Sequence, residues 1–310
     1  MIDIDELLIK MESVPKDGTL YLLEILPSDT GLFACNGNIL YMVSNNEKSE
    51  PLGITTDFLH LETNVYVSAF NISVSTFENG YYNYVELKLS DINVMIDNIK
   101  TFVNLCLAHA TYEGGMEFVQ FFDSLVSLFQ LPREQHYKNL IGLVGELLFI
   151  EYIYNEYGVD MSSYWHTEGT LSHIDFVSPF ANFEVKTTTN DSFRFTIKHN
   201  QLFGVSDNTY LITIQLEDSN VGRSLNDIIS SLQEKPNYCN SMQFSVNIEK
   251  EKRRVASSEL QDKKFILKKV CAYHANTINP FAKIPDCVED ISYKLDLLQF
   301  SDIPLNNIIK

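Results

Sequence analysis

The chain reads as an α/β protein: a mixed sheet flanked by helices, with a β-rich N-terminal region before it and an α/β extension after it. Three observations predict this. Ile174–Val177 and Phe180–Thr188 have strand character and are linked through Ser178-Pro179-Phe180-Ala181-Asn182, a turn-forming stretch, as in a hairpin. A long apolar stretch at helical spacing, Arg133–Tyr157, precedes them. Much of the first ninety or so residues alternates like antiparallel strands. These features divide the chain into a β-rich then helical region (1–131), a core (132–232) and a C-terminal extension (233–310).

In chain order, Ile4, Leu7, Leu8 and Met11 fall at helical spacing over Ile2–Glu12. Strands are expected at Thr19–Leu26, Gly31–Ala34 and Asn38–Val43, with Asn36-Gly37 as a hairpin turn. Further strands are expected at Ile54–Leu61, Val65–Phe70 and Tyr81–Leu89. A helix then begins at Ser90-Asp91 and breaks at Gly114-Gly115; Met116–Phe129 forms another, and Leu131-Pro132 marks a boundary. In the helix Arg133–Tyr157, Gly142 and Gly145 each cost about 1 kcal/mol against alanine. Close packing of this helix on the sheet would compensate. Glu151 is expected to face solvent. Gly158–Ser172 is a loop holding the lone Trp165, read as a core plug or, alternatively, a base-stacking ring.

After the hairpin come a strand at Phe193–Ile197, a short helix at His199–Phe203 and a buried strand at Thr209–Leu216. A polar turn (Glu217–Gly222), an amphipathic helix (Ser224–Leu232), and strands at Met242–Ile248, Lys263–Ala272 and Ile291–Leu297 complete the chain. No phosphate-binding glycine loop is present, which excludes a nucleotide-driven motor and a dinucleotide pocket.

The chemistry concentrates in the hairpin. On a strand, Glu184 and Lys186 point to one face, roughly 6.6 Å apart along it, and Phe183 and Val185 to the other. Pairing brings Asp175 beside Glu184. Glu-x-Lys on a strand is by itself usually a solvated charge pattern. Two carboxylates with an ammonium suit something more specific. Mg²⁺ takes one or two carboxylates plus water and substrate phosphate. It polarises the phosphate, and a lysine beside it orients water and offsets charge on the phosphoryl oxygens. This is the chemistry of phosphodiester hydrolysis.

Ile174-Asp175, an eight-residue gap and Glu184-Val185-Lys186 resemble the motif of the PD-(D/E)XK nuclease superfamily, with Ile174 in place of the motif's proline. More narrowly, GLVGELLFIEYI, Trp165, EVKTT and Gln201-Leu202 resemble a PD-(D/E)XK family encoded beside bacterial restriction and phage-defence genes. The resemblance implies a restriction-endonuclease-like core and a metal-dependent DNA endonuclease. Asp175, Glu184 and the Val185 carbonyl would bind Mg²⁺, with Mn²⁺ able to substitute. Lys186 would orient the attacking water, and Glu146, the acid of the preceding helix, would assist. It also implies assembly as a homodimer or as a subunit of a multi-protein defence system. A catalytically silent nuclease-fold subunit is the alternative. Thr187, one of three threonines that follow the Glu184 strand, is expected to hydrogen-bond a phosphate or, alternatively, only to favour the strand; Gln201 is a further expected DNA contact.

Charge complicates a DNA reading. The formal net charge is −18, and acids crowd the N-terminal region. Phosphate binding needs positive surface. The net-basic stretch is Lys235–Lys269, so Arg253 and Arg254, with Lys250, Lys252, Lys263, Lys264, Lys268 and Lys269, are the expected phosphate contacts, on a hairpin. Five scattered cysteines point to reduced thiols and a cytoplasmic setting, and Cys271/His274 resembles half a zinc site without its other half. No apolar run is long enough for a membrane span.

Overall fold

A computed structural model describes residues 2–45, 50–71, 77–89, 96–112, 116–129, 140–166, 174–202, 208–235, 241–255, 263–278 and 291–309. The chain divides into two compact units: Met1–Gln135 with Ser241–Val246, and His136–Asn240 with Asn247–Lys310. No helix among the described residues is long and apolar enough to cross a membrane.

The first unit opens with α1 (Ile4–Ser13), capped by Asp3, which accepts from the N–H groups of Asp5 and Glu6. A seven-stranded sheet follows, made of β1 (Leu20–Leu26), β2 (Thr30–Cys35), β3 (Asn38–Ser44), β4 (Gly53–Thr55), β5 (Leu59–Val67), β6 (Phe70–Asn71) and β7 (Gly80–Leu87). Its order is β4-β5-β7-β3-β2-β1-β6, antiparallel except for β1 beside β6. The β2–β3 turn forms as expected: Asn36 and Gly37 both have positive φ, 51° and 86°. The strands expected at Ile54–Leu61 and Val65–Phe70 are instead one long β5 flanked by short β4 and β6. A bulge between Glu62 and Val65 breaks the alternation, and Asn64 within it has φ 54°. Two helices, α2 (Ile96–Thr111) and α3 (Phe118–Phe129), share an apolar core with the sheet through Phe102, Phe121 and Leu125. The expected start of α2 lies outside the described residues.

The second unit is built on α4 (Leu140–Tyr157) and a four-stranded mixed sheet. The beginning of α4 expected at Arg133 lies outside the described residues. The sheet strands are β8 (Phe176–Val177), β9 (Asn182–Thr188), β11 (Thr209–Ser224) and β12 (Lys264–His274), in the order β12-β11-β9-β8. β9 runs parallel to β11, and the other pairs are antiparallel. The hairpin β8–β9 forms as expected. Between β9 and β11 the chain makes β10 (Arg194–Lys198) and α5 (His199–Leu202). β10 leaves the main sheet and pairs with β13 (Ser292–Asp296) in a separate ribbon. The helix α6 (Leu225–Gln233) belongs to this unit; α7 (Met242–Arg254) is divided, its residues up to Val246 counting with the first unit and those from Asn247 with the second, and the short α8 (Ala275–Ile278) completes the set.

Two expectations fail here. Glu217–Gly222 is not a turn: β11 continues to Ser224 across a slip between Asp218 and Arg223. A Cβ on Gly222 would lie 2.6 Å from the Phe265 backbone, so only glycine lets the strands approach. Met242–Ile248 is a helix, not a strand. The Ser241 hydroxyl accepts from the Phe244 N–H at its start. Phe244, Ser245, Val246, Asn247 and Ile248 are buried in succession. A helix enclosed on nearly all sides shows no single apolar face, and its Met-x-Phe-x-Val-x-Ile order then imitates a strand.

Candidate active site

The two faces of β9 have different tasks. Phe183, Val185 and Thr187 face α4: the Phe149 and Phe183 rings lie 5.5 Å apart, and a Cβ on Gly145 would fall 1.8 Å from Thr187 Oγ1. The helix therefore comes to rest on the sheet at Gly145, as its glycine content suggested. Gly142 has open space beside it. On the other face, Glu184 and Lys186 lie in register with Leu211 and Thr213 of β11, which continue to Tyr273 and Cys271 of β12.

β8 is short. It pairs Phe176 with Phe183 and Val177 with Asn182, and stops. Past that point Asp175 replaces the missing ladder: its Oδ2 accepts from the Val185 N–H at 2.8 Å. Asp175 is fixed in turn by its carbonyl, which accepts from the His166 N–H at 2.8 Å. A strand residue directs its N–H and C=O to the same edge. The Val185 carbonyl therefore faces the edge that β8 leaves and Asp175 borders.

Glu184 is 1% exposed. Its Oε1 accepts from Lys186 Nζ and from Gln201 Nε2, each at 2.5 Å. Its Oε2 is buried with no hydrogen-bond partner among the described residues. Glu146, also buried, accepts through Oε2 from Trp165 Nε1 at 2.8 Å, and the Trp165 carbonyl accepts from Asn247 Nδ2 at 3.2 Å. Trp165 is thus the plug under the site, with its indole N–H directed at an acid. Asn247 escaped sequence reading because its helix was read as a strand.

Electrostatics ties these groups together. Burial, then the negative charges of Glu146 and Glu184, push the Asp175 carboxyl well above the usual carboxylate range, against the opposing pull of Lys186 and the Val185 N–H. Burial also raises Glu184; Lys186 opposes this and Glu146 adds to it. Burial acts to lower Lys186, but Glu184, Asp175 and Glu146 outweigh it and hold the ammonium above its ordinary value. The cluster carries three acids against one lysine and has surplus negative charge.

A cation suits that surplus. Among the described residues no three His, Cys, Asp or Glu side chains form a ready metal cage. Mg²⁺ requires less, since one or two carboxylates with water and phosphate suffice. The bare Glu184 Oε2, the raised Asp175 and the edge-facing Val185 carbonyl are hard oxygen donors that fit it. Cys271 is buried, and His274 Nδ1 takes the Asn276 N–H; no zinc-type group is found among the described residues.

The expected DNA contacts fare differently. Thr187 turns its hydroxyl into the packing at Gly145, buried and without a partner, so it is not presented to phosphate. Gln201 belongs to the carboxylate cluster: besides holding Glu184, its Oε1 accepts from the Lys198 N–H at 3.0 Å. Arg253 and Arg254 end a helix rather than a hairpin. The basic stretch is split between α7 and β12; Lys252 pairs with Glu249, Lys268 with Glu217, and Lys269 lies over the Phe193 ring. Glu151 is not solvated. It is buried against Arg223, whose Nη1 donates at 2.9 Å and whose Nη2 makes a shorter contact, and against Ser231 Oγ at 2.8 Å.

The family described as "Putative PD-(D/E)XK family member, (DUF4420)" matches residues 117–298, more than half of the chain. No curated protein and no solved structure matches. The matched span contains α4, the β8–β9 hairpin with Asp175, Glu184 and Lys186, and the strand order that follows, so the chain belongs to this PD-(D/E)XK-type family.

Proposed function

We propose that the chain is a metal-dependent endonuclease that hydrolyses DNA phosphodiester bonds in restriction or phage defence, using Mg²⁺, with Mn²⁺ able to replace it. The observation that carries this reading is a buried carboxylate engaged on one side only. Glu184 Oε1 is held by Lys186 and Gln201, while Oε2 has no partner beside a second carboxylate, Asp175. A buried acceptor left bare demands an explanation, and a hard cation supplies one.

Asp175, Glu184 and the Val185 carbonyl would hold the ion. When bound, it supplies Lewis-acid polarisation of the scissile phosphate and makes water more acidic. Lys186, 22% exposed, orients the attacking water and offsets charge growing on the phosphoryl oxygens as one ester P–O bond breaks. Gln201 holds Glu184 Oε1 and so would leave Oε2 available to the ion. Trp165 fixes Glu146 at the margin of the cluster. One site per chain cuts one strand at a time, which favours work as a homodimer or as a subunit of a larger defence assembly. The scattered cysteines suit the cytoplasm.

The lone tryptophan makes the test direct, because Trp165 donates to Glu146 within the cluster. Mn²⁺ titrated into the wild type should change its tryptophan fluorescence saturably, and Asp175→Asn should abolish the response. Wild type, and not the variant, should nick plasmid DNA when Mg²⁺ or Mn²⁺ is supplied. A wild type that binds DNA, ignores Mn²⁺ and never nicks is the silent subunit instead.

A further inference from the structure

The ribbon β10–β13 stands apart from the main sheet, and its two faces are sorted by chemistry. Phe195, Ile197 and Tyr293 are buried, and Phe195 and Ile197 join the apolar cluster of Leu211, Cys271 and Tyr273 on the Glu184/Lys186 face of the sheet. The opposite face presents Arg194, Thr196 and Lys198 on β10, with Lys294 and Ser292 on β13, all exposed. Its one acid, Asp296, is paired with Arg194 at 3.3 Å. Among the described residues neither Lys198 nor Lys294 has an ion-pair partner. In a chain of net charge −18, this sheet face carries net positive charge among the described residues.

Its position matters as much. The ribbon ends at Lys198, whose N–H donates to Gln201, which in turn donates to Glu184. His199 Nδ1 and the Tyr293 hydroxyl, 2.7 Å apart, fasten α5 to β13. One side chain therefore separates the basic ribbon from the candidate metal ligands. A concavity of about 600 Å³ lies along it, lined by Arg194, Phe195, Thr196, Lys294, Leu295 and Asp296.

We infer that the outer face of this ribbon is the surface on which double-stranded DNA docks, delivering a phosphodiester to the carboxylate cluster; this rests on the nuclease reading above. The major groove of B-DNA admits a two-stranded β-ribbon. Lysine, arginine, serine and threonine are the side chains that contact phosphate. From Arg194 to Lys198 the ribbon extends about 13 Å, at ~3.4 Å per residue. This surface replaces the Lys250–Lys269 stretch, which the fold divides and partly pairs off.

The test compares two double variants of equal charge change. Lys198→Ala with Lys294→Ala removes the ribbon cations. Lys263→Ala with Lys264→Ala removes exposed cations where β12 begins. Binding of a short labelled DNA duplex is measured in EDTA over a range of salt. The ribbon variant should lose about tenfold in affinity, and its salt slope should flatten by about 0.9 per lost phosphate contact. The β12 variant should stay near wild type. Equal losses in both would show a mere net-charge effect, and an unchanged ribbon variant would place the duplex elsewhere; either result overturns the ribbon assignment. So would a loss seen only with single-stranded DNA or RNA. Plasmid nicking by wild type keeps the two claims separate. Nicking with an unaffected ribbon variant sinks the ribbon alone, whereas a weakened ribbon variant without nicking by wild type sinks the catalytic reading.

Discussion

Glu146 and Glu151 both lie buried on α4, little more than one turn apart, and their surroundings differ in kind. At Glu151 burial acts to raise the carboxyl, but hydrogen bonds from Arg223 and Ser231, with the Arg223 charge, outweigh it and leave the group below the usual glutamate range. Around Glu146 the neighbours are acids rather than a guanidinium. It stands near Asp175 and Glu184, both pushed up, with Lys186 as the one cation among them. The fold neutralises Glu151 and leaves the acids of the candidate site in surplus. Such a surplus is kept at a cost in stability where function needs it. Changes at one end of α4 should therefore affect chemistry, and changes at the other should affect the fold.

The largest expected effect is at the site end. Lys186→Ala should lower DNA nicking about 10³-fold, the scale of removing one group aimed at transition-state charge. Its melting temperature should remain near wild type, because the substitution removes a partly exposed site charge and no core packing. Single-turnover nicking beside a thermal melt checks both. A variant that nicks at the wild-type rate would break the comparison, since Lys186 would then be structural.

Glu151→Ala should give the opposite pattern. Glu151 is 9% exposed at its side chain and Arg223 41%, so the loss falls between that of a buried pair and a surface pair, roughly 2 kcal/mol. Nicking per folded molecule should hold. Because the folded pKa is depressed, the stabilisation is complete above the unfolded value of about 4.3 and disappears as pH falls through the folded value. Denaturant melts of wild type and variant should thus converge as pH falls below the unfolded value and through the folded one. A constant difference from neutral to acid pH would assign the loss to packing rather than charge.

How much of this contrast was legible beforehand depends on the residue. The hairpin and the shared face of Glu184 and Lys186 follow from strand alternation, which local sequence carries in full. The partners of Glu151 do not. Arg223 and Ser231 lie more than seventy residues downstream, and an acid on a helix looks the same whether solvent or a distant arginine meets it. The ribbon is a similar case: Arg194–Lys198 and Ser292–Asp296 each read as strands, but their pairing spans nearly a hundred residues. The sequence position of Gln201 shows only that it follows the site, not that its amide reaches back to Glu184. The α7 error has another origin, since enclosure on nearly all sides erases the periodicity that distinguishes helix from strand.

The smallest expected effect separates the two glycines of α4. Both were expected to serve close packing, and only Gly145 does: a methyl there would overlap Thr187, whose hydroxyl is already buried without a partner. At Gly142 a Cβ would meet nothing within 4 Å. Glycine in a helix costs backbone entropy that alanine does not, and among the described residues no contact at Gly142 requires the cost. Gly142→Ala should stabilise the protein by about 0.5–1 kcal/mol and leave nicking unchanged. Denaturant melts resolve a shift of that size. A destabilised Gly142→Ala would mean that a further part of the chain lies against α4 at this point, and the resting of the helix on β9 would then extend beyond the single contact at Gly145.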